Sequence, residues 1–304
     1  MVTVQTVPVT DNAAVPIVYI ILYTKVKVVN LSLIHIYVSF DGENYKKEIE
    51  EVGVREFYQE MVDKPKQYPK SSLPNVEDYL RAFRPYAKEG IPVICICITS
   101  KFSGSYTSAS NAKDIIKEEY PNAEIAVIDS SVNTVLQGLY VLEAVRMQKA
   151  GYSFEENVKR LEKIKSTGRI FFTIGGMEYL VHGGRVGKLM GIAGTTLGIR
   201  PLITLKEGEI FPSGISRSRK KSMQKVIELV RKHFHENGEN PDEYSFVVGY
   251  GYDHEEAKEF RNEFLKSLKE YSSVKEMDIF QIGATIGVHT GPHPIGVGLI
   301  RRAF

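Results

Sequence analysis

The sequence predicts an α/β protein of two lobes. In the first half of the chain, apolar strand-like segments alternate with helical segments, at residues 92–99, 105–120, 123–129 and 134–151. This alternation is typical of βαβ units, in which the strands run parallel. We therefore expect an N-terminal domain over residues 1–165 with a mainly parallel sheet, and a C-terminal α/β domain over residues 166–304 with a mixed sheet.

The second lobe is expected to follow a charged helix at residues 154–168, because its terminal Gly168 is a natural helix stop. Strand-like segments then occur at residues 170–175, 201–210, 244–251 and 277–288, with helices between them at residues 218–234 and 254–271. Gly42 and Gly208 predict hairpin turns. The β-branched start of the chain predicts strands rather than a signal peptide, because no basic region or cleavage site precedes it.

Composition excludes several classes of function. The chain has 304 residues and a formal net charge of +2, which provides no broad basic field, so we expect no nucleic-acid partner. The basic residues 217–225 are interpreted as the solvated first turns of a helix. The longest apolar stretch, residues 13–22, is too short to span a bilayer, so we expect at most transient membrane contact.

The cysteines and histidines do not predict a metal site. Cys95 and Cys97 are the only cysteines, and their spacing on a strand suits neither a disulfide nor a zinc site. Their use indicates a reducing cytoplasm. His289 and His293 have helical ligand spacing, but the prolines around His293 prevent a helix there. We therefore predict no metal ligand.

The first candidate binding segment is residues 103–108, where a strand leads through a hydroxyl-rich turn into a helix. The first N–H groups of a helix lack partners, and its dipole favours an anion there. Ser103 and Ser105 can add hydroxyl donors, and Gly104 lets a ligand approach the backbone. The alternative is simple N-capping of the helix by Ser103 or Ser105.

Three other segments are candidates. His289 and Thr290 are predicted in a Gly/Pro-rich turn directly after a strand, where His289 can donate to an anion or merely bind turn carbonyls. Ser71 and Ser72 are predicted in a loop before a helix that Asn75 caps. The glycines at positions 187, 191, 194 and 198 would share one face of a helix, which favours close helix packing or a slender ligand.

Together these segments resemble the DegV family of bacterial fatty-acid-binding proteins, over nearly the whole chain. The family's T-S-x-P, S-G-T-Y, G-G-R and H-T-G-P-G patterns match residues 71–74, 103–106, 183–185 and 289–292. The departures from the patterns include Ser71 and His293. Ser71 replaces the usual Thr and keeps its hydroxyl, whereas His293 replaces the final Gly and adds bulk beside the expected site.

The resemblance implies one long-chain fatty acid, such as palmitate, held between the two lobes. Its carboxylate would be bound by hydroxyls of the Ser71–Ser72 and Ser103–Ser105 turns with His289 and Thr290 nearby, and its tail would lie in an apolar tunnel. Arg185 would support the pocket or a docking surface. The resemblance also implies presentation of the lipid to a separate fatty-acid kinase for phospholipid synthesis, with no cofactor and no catalysis by this chain.

Two other functions are open from the residues alone. A serine hydrolase or acyltransferase would use Ser103 as nucleophile, His289 as base and Asp129 as the residue that orients His289. Against this class, the segment around Ser103 lacks the G-x-S-x-G elbow. A DNA-binding regulator would use the basic residues 217–225, and its binding would weaken with salt.

Overall fold

The computed structural model describes residues 18–22, 30–34, 36–193 and 198–304. Its strands are β1 (Val18–Leu22), β2 (Asn30–Leu33), β3 (Tyr37–Ser39), β4 (Lys46–Lys47), β5 (Lys70–Ser72), β6 (Val93–Cys97), β7 (Ile125–Asp129), β8 (Arg169–Thr173), β9 (Arg200–Lys206), β10 (Glu209–Ser216), β11 (Tyr244–Tyr250), β12 (Asp278–Gln281) and β13 (Ile295–Arg301). Its α-helices are α1 (Val54–Asp63), α2 (Val76–Glu89), α3 (Ser105–Glu119), α4 (Thr134–Lys149), α5 (Phe154–Ile164), α6 (Glu178–His182), α7 (Met190–Ala193), α8 (Arg219–Asn237), α9 (His254–Leu268) and α10 (Ala284–Thr290).

The first large sheet has the strand order β2-β1-β6-β7. Strands β6 and β7 are parallel and are joined by α3, as the alternating pattern predicts. Strand β1 is antiparallel to both β2 and β6. The connection between β1 and β2 is too short for a crossover helix, so these two strands pair antiparallel. The α/β class is confirmed, with a parallel pair at one side of this sheet and antiparallel strands at the other.

The second large sheet has the order β10-β9-β8-β13-β11-β12 and is mixed, as expected. Its strands pair antiparallel except for β11 and β12, which are parallel. Helices α8 and α9 contribute to an apolar cluster on this sheet through Val230, Phe234, Phe260 and Phe264. The division of the strands between the two large sheets is compatible with a domain boundary near residue 165, which stays a prediction.

Helix α4 lies between the two large sheets. Its sides are buried nearly all round, as expected of a helix that is covered on both faces. Two glycines of the second sheet let it approach closely, since a Cβ on Gly249 would lie 2.9 Å from Val135 and one on Gly298 would lie 3.1 Å from Leu136. On the other side, Gln137 donates to the carbonyl of Ile96 in β6 at 3.2 Å. One apolar core therefore continues across both sheets.

A small third sheet, in the order β4-β3-β5, joins distant parts of the chain. Residues from β3 and α1, among them Val38 and Tyr58, form one buried cluster with Ala284 and Val288 of α10. Ser71 was expected in a loop, but it lies on β5 opposite Val38 of β3. The predicted loop is therefore wrong, because pairing with β3 extends this polar segment into a strand next to α10.

Two further expectations are wrong. Residues 277–288 were predicted as one strand, but β12 ends at Gln281 and α10 follows, so His289 and Thr290 lie in the last turn of a helix. A short apolar run can suit either structure, and here the helix is buried on nearly all sides. The glycine segment is not one helix, since a 3-10 turn at Gly187–Leu189 leads into the short α7. Gly194 lies outside the described residues.

The hairpin between β9 and β10 contacts the end of the first large sheet, and this contact is testable. Gly208 has φ +82°, and a Cβ there would lie 2.4 Å from Oγ1 of Thr99. Gly238, at the C-terminus of α8, has φ +62° and open space around it. We expect Gly238→Ala to lower the free energy of unfolding by about 1 kcal/mol, and Gly208→Ala to lower it by about 2 kcal/mol or more.

Urea denaturation of the two variants beside the parent chain measures this difference. The comparison separates the strain of a positive φ, which both positions share, from the contact with Thr99, which only Gly208 makes. Equal losses of stability would show that the hairpin tip does not depend on Thr99.

Candidate functional site

A cavity of about 210 Å³ is lined by the small sheet, the second large sheet, α6, α10 and the loops that follow β6 and β7. Its polar lining contains six of the side chains that the sequence singled out: Ser71, Ser72, Ser103, Arg185, His289 and Thr290. Its apolar lining includes Ile36, Leu73, Ile98, Phe102, Phe172, Leu180, Ile210 and Ile286. The structure thus brings together residues from four separate segments of the chain around one space that is polar on one side and apolar on the other.

The central polar contact joins Ser71 and His289. Oγ of Ser71 lies 3.2 Å from Nε2 of His289, within hydrogen-bonding distance. Strand β5 places Ser71 because it pairs with β3, and α10 places His289 in its last turn. With a proton on Nε2, His289 donates to Ser71, and the Ser71 hydroxyl is then free to donate into the cavity.

His289 is largely buried, and burial sets its charge. Burial lowers the pKa of the His289 imidazole to about 4, and the positive charge of Arg185 adds to this effect. The ring is therefore neutral near pH 7. Its Nδ1 atom is buried and has no hydrogen-bond partner among the described residues, whereas its Nε2 atom lies within hydrogen-bonding distance of Ser71.

The G-G-R turn holds both His289 and Arg185 in place. A Cβ on Gly183 would lie 2.1 Å from Nδ1 of His289, so only glycine leaves room for the imidazole ring there. Arg185 donates from Nη1 to the carbonyl of Gly183 at 2.9 Å and from Nε to the carbonyl of Phe102 at 3.2 Å. Arg185 thereby joins this turn to the Ser103 turn and brings a positive charge to the cavity lining.

The serine turn before α3 both caps the helix and lines the cavity. Oγ of Ser103 accepts the N–H of Ser105 at 3.2 Å and lies 2.8 Å from Oγ of Ser105. Ser105 is fully buried, and neither it nor Gly104 is in the cavity lining. Gly104 has an ordinary φ of −75°, so its backbone does not require glycine. Ser103 is therefore the residue of this turn that faces the cavity, with Ser105 behind it.

The arrangement does not form the alternative catalytic triad. The carboxylate of Asp129 accepts the N–H groups of Ser100 and Ser131, at 3.2 and 2.9 Å. Nδ1 of His289, which a triad aspartate would bind, has no partner in the part of the chain that the structure describes, and Nε2 faces Ser71 instead of Ser103. Ser103, His289 and Asp129 therefore do not have the geometry of a serine-hydrolase triad.

A second cavity of about 40 Å³ adjoins the first and is mostly apolar. The two share four lining residues, namely Asn133, Phe172, Ile286 and Thr290. Three glycines line the second cavity in place of larger side chains, at positions 249, 296 and 298. The glycines at positions 187 and 191, for which the sequence left close helix packing or a slender ligand open, line neither cavity.

Some lining residues were missed by the sequence analysis. Thr285 and Ile286 were missed because their segment was assigned to a strand, and Asn133 because it follows β7 in a loop without a recognisable motif. A polar residue at the carboxyl end of a parallel strand is a signal that could have identified Asn133.

The basic residues 217–225 lie mainly at the start of α8 and are partly neutralised. Arg219 donates to both carboxylate oxygens of Glu256, at 2.8 and 2.5 Å, and Lys225 donates to the carbonyl of Ile215 at 3.0 Å. These contacts agree with the interpretation as solvated first turns. Among the described residues, no group of three acidic, histidine or cysteine side chains could hold a metal ion, and no helix has the length and apolarity to cross a bilayer.

The low pKa of His289 makes stability depend on pH. Near pH 6.5 and below, the unfolded chain takes up a proton on this histidine that the folded chain accepts only near pH 4. The free energy of unfolding should therefore fall between pH 6.5 and pH 4, by up to about 3 kcal/mol from this residue. In His289→Gln that contribution is absent, so urea denaturation across this range should show a flatter profile. Parallel profiles for the two proteins would contradict the burial of a neutral His289.

Both the sequence and the fold of this chain match known proteins. The profile described as "Uncharacterised protein, DegV family" matches residues 22–302. A DegV domain-containing protein of Clostridium perfringens is 33% identical over 278 residues, which make up 91% of this chain and 92% of that protein. A stearic-acid-binding protein from Eubacterium ventriosum is 44% identical with a TM-score of 0.84, over 90% of this chain and 92% of that one.

A second solved structure, described as fatty-acid binding by a DegV family protein from Thermus thermophilus, is 28% identical with a TM-score of 0.76. That match covers 88% of this chain and 91% of the Thermus chain. The sequence match and the fold match both extend over most of the chain. This chain therefore belongs to the DegV family.

Proposed function

We propose that this chain binds one long-chain fatty acid, with the carboxylate at the Ser71–His289 contact and the tail in the adjoining cavities. The observation that supports this most directly is the polarity of the lining. Hydroxyl, imidazole and guanidinium groups meet at the first cavity, and a mostly apolar second cavity adjoins it. This is the lining that a molecule with one charged end and a long apolar tail requires.

The polar side can satisfy a carboxylate. A carboxylate that is buried without partners is very unfavourable, whereas hydrogen bonds to a charged acceptor are stronger than those between neutral groups. Ser71 and Ser103 supply hydroxyl donors, and Arg185 supplies the positive charge, because His289 is neutral near pH 7. His289 contributes by holding the Ser71 hydroxyl rather than by its charge.

The apolar lining can hold the tail. Each methylene group that leaves water stabilises the complex by about 0.8 kcal/mol, so affinity should rise with chain length until the cavities are filled. The relatives from Eubacterium ventriosum and Thermus thermophilus are described as binding stearic acid and fatty acid, respectively. A saturated chain such as palmitate is a suitable probe for this protein.

A carrier that performs no chemistry is the function we favour, in the cytoplasm and without a cofactor. The failed triad geometry at Asp129 supports it over an acyl hydrolase. We further propose that a separate fatty-acid kinase receives the bound lipid for phospholipid synthesis. Activation of the carboxylate would require such a partner, because the sequence has no phosphate-binding loop of the G-x-x-x-x-G-K-[ST] type.

The carboxylate site is tested by Ser71→Ala and Ser103→Ala, measured by calorimetric titration of the delipidated protein with palmitate. Each variant loses one hydrogen bond to a charged group, so we expect the Kd to rise about tenfold or more. Ser103 also caps α3, so Ser153→Ala, which removes the capping box of α5 away from the cavity, is the matched control. The control should lose stability and keep its affinity.

Two results would contradict the proposal. Unchanged palmitate affinity in both cavity variants would show that the two hydroxyls do not bind the head group. If Ser103→Ala lost only thermal stability, as the Ser153→Ala control should, then Ser103 would be a helix cap and nothing more.

A further inference from the structure

Helix α10, which carries His289, is capped by a residue from the other end of the chain. The position before the helix is Gly283, which has no side chain to cap the free N–H groups. Oε2 of Glu48 takes that role. It accepts the hydroxyl of Thr285 at 2.5 Å and the backbone N–H of Thr285 at 3.3 Å, across 237 residues of sequence.

Glu48 is committed to this contact by its burial. Its side chain is only 3% exposed, and a buried carboxyl group is unfavourable unless it is hydrogen-bonded. Burial raises the pKa of Glu48, and the hydrogen bonds from Thr285 and Ala284 oppose that shift. Burial of this carboxyl group is unfavourable, and the hydrogen bonds at the start of α10 offset part of that cost.

The backbone beside Glu48 is strained at Ile49. Ile49, the next residue, has φ +72°, which is rare for a β-branched side chain. Its N–H bonds to the carbonyl of Val52 at 2.9 Å, and the N–H of Glu48 bonds to the carbonyl of Ile36 at 2.9 Å. Strain of this kind persists only where neighbouring contacts impose it, and it is common at ligand-binding sites.

The capped end of α10 faces the same way as His289. Thr285 and His289 are four residues apart, so their side chains lie on one face of the helix, about 6 Å apart along its axis. Both line the first cavity. Between them, Gly287 packs so tightly on Tyr58 that a Cβ would lie 2.9 Å from the Tyr58 hydroxyl. The rotation of α10 at Thr285 therefore determines where the imidazole of His289 points.

We propose that Glu48 is a positioning residue of the carboxylate site, which it serves by fixing the rotation of α10 through Thr285. This inference rests on the proposed function, since it assigns Glu48 to the same site. Glu48 itself lines neither cavity. Its effect reaches the head group through the Ser71–His289 contact, which requires His289 to face β5.

The test uses Glu48→Gln and Thr285→Val, which weaken the contact from either side, and Thr285→Ser, which keeps the hydroxyl. Glu51→Gln is the matched control, because Glu51 lies on the same turn, is exposed and bonds to the N–H of Lys47 instead of to α10. Palmitate affinity is measured by calorimetry on delipidated protein. Long-range proton–nitrogen spectra of the lipid-free protein report the His289 ring, assigned with His289→Gln.

We expect Glu48→Gln and Thr285→Val to raise the palmitate Kd about tenfold and to shift the His289 ring signals without lipid. Thr285→Ser keeps the hydroxyl, so it should restore the parent His289 ring signals and bind palmitate more tightly than Thr285→Val does. Glu51→Gln should keep the parent affinity and spectrum. If Glu48→Gln does not fold, Thr285→Val decides the question. Rescue by Thr285→Ser separates positioning from a general loss of packing.

Unchanged affinity in the folded variants would overturn the inference, and so would weaker binding with an unchanged His289 spectrum. Failure of the proposed function has a different signature. In that case the parent protein itself would not bind palmitate, while the ring signals of the lipid-free variants would still show whether Glu48 positions His289.

Discussion

The contact between Ser71 and His289 joins strand β5 to helix α10 across 218 residues of sequence, and the site depends on it. Neither element is stable alone, since β5 has three residues and α10 has seven. Each is held by the other and by their neighbours: β3 pairs with β5, Tyr58 packs on α10, and Gly183 makes room for the imidazole ring. The polar end of the cavity therefore forms only when the whole fold is assembled.

Burial gives this contact its chemical character. A neutral imidazole can donate to the Ser71 hydroxyl and direct its proton into the cavity, and Arg185 brings a positive charge to the same lining. Arg185 also joins two of the turns around the cavity through backbone carbonyls, so its guanidinium has a fixed direction. The positive charge of the lining and the direction of the Ser71 hydroxyl thus come from different residues, Arg185 and His289.

Elements with local signals could be predicted from the sequence. The alternation from β6 through α4 and the glycine turn at position 208 follow from periodicity and backbone preference, and the structure has them in place. The run at residues 277–288 could not be divided into β12 and α10, because uniformly apolar residues suit either structure. Glu48 resembles a surface glutamate in a charged segment, and only its contact with α10 reveals its burial.

The most direct measurement is native mass spectrometry of the protein as purified, followed by denaturation and identification of any small molecule that is released. We predict one long-chain fatty acid per chain, in the purified protein or after incubation of the delipidated protein with palmitate. An empty protein that takes up no fatty acid under those conditions would contradict it.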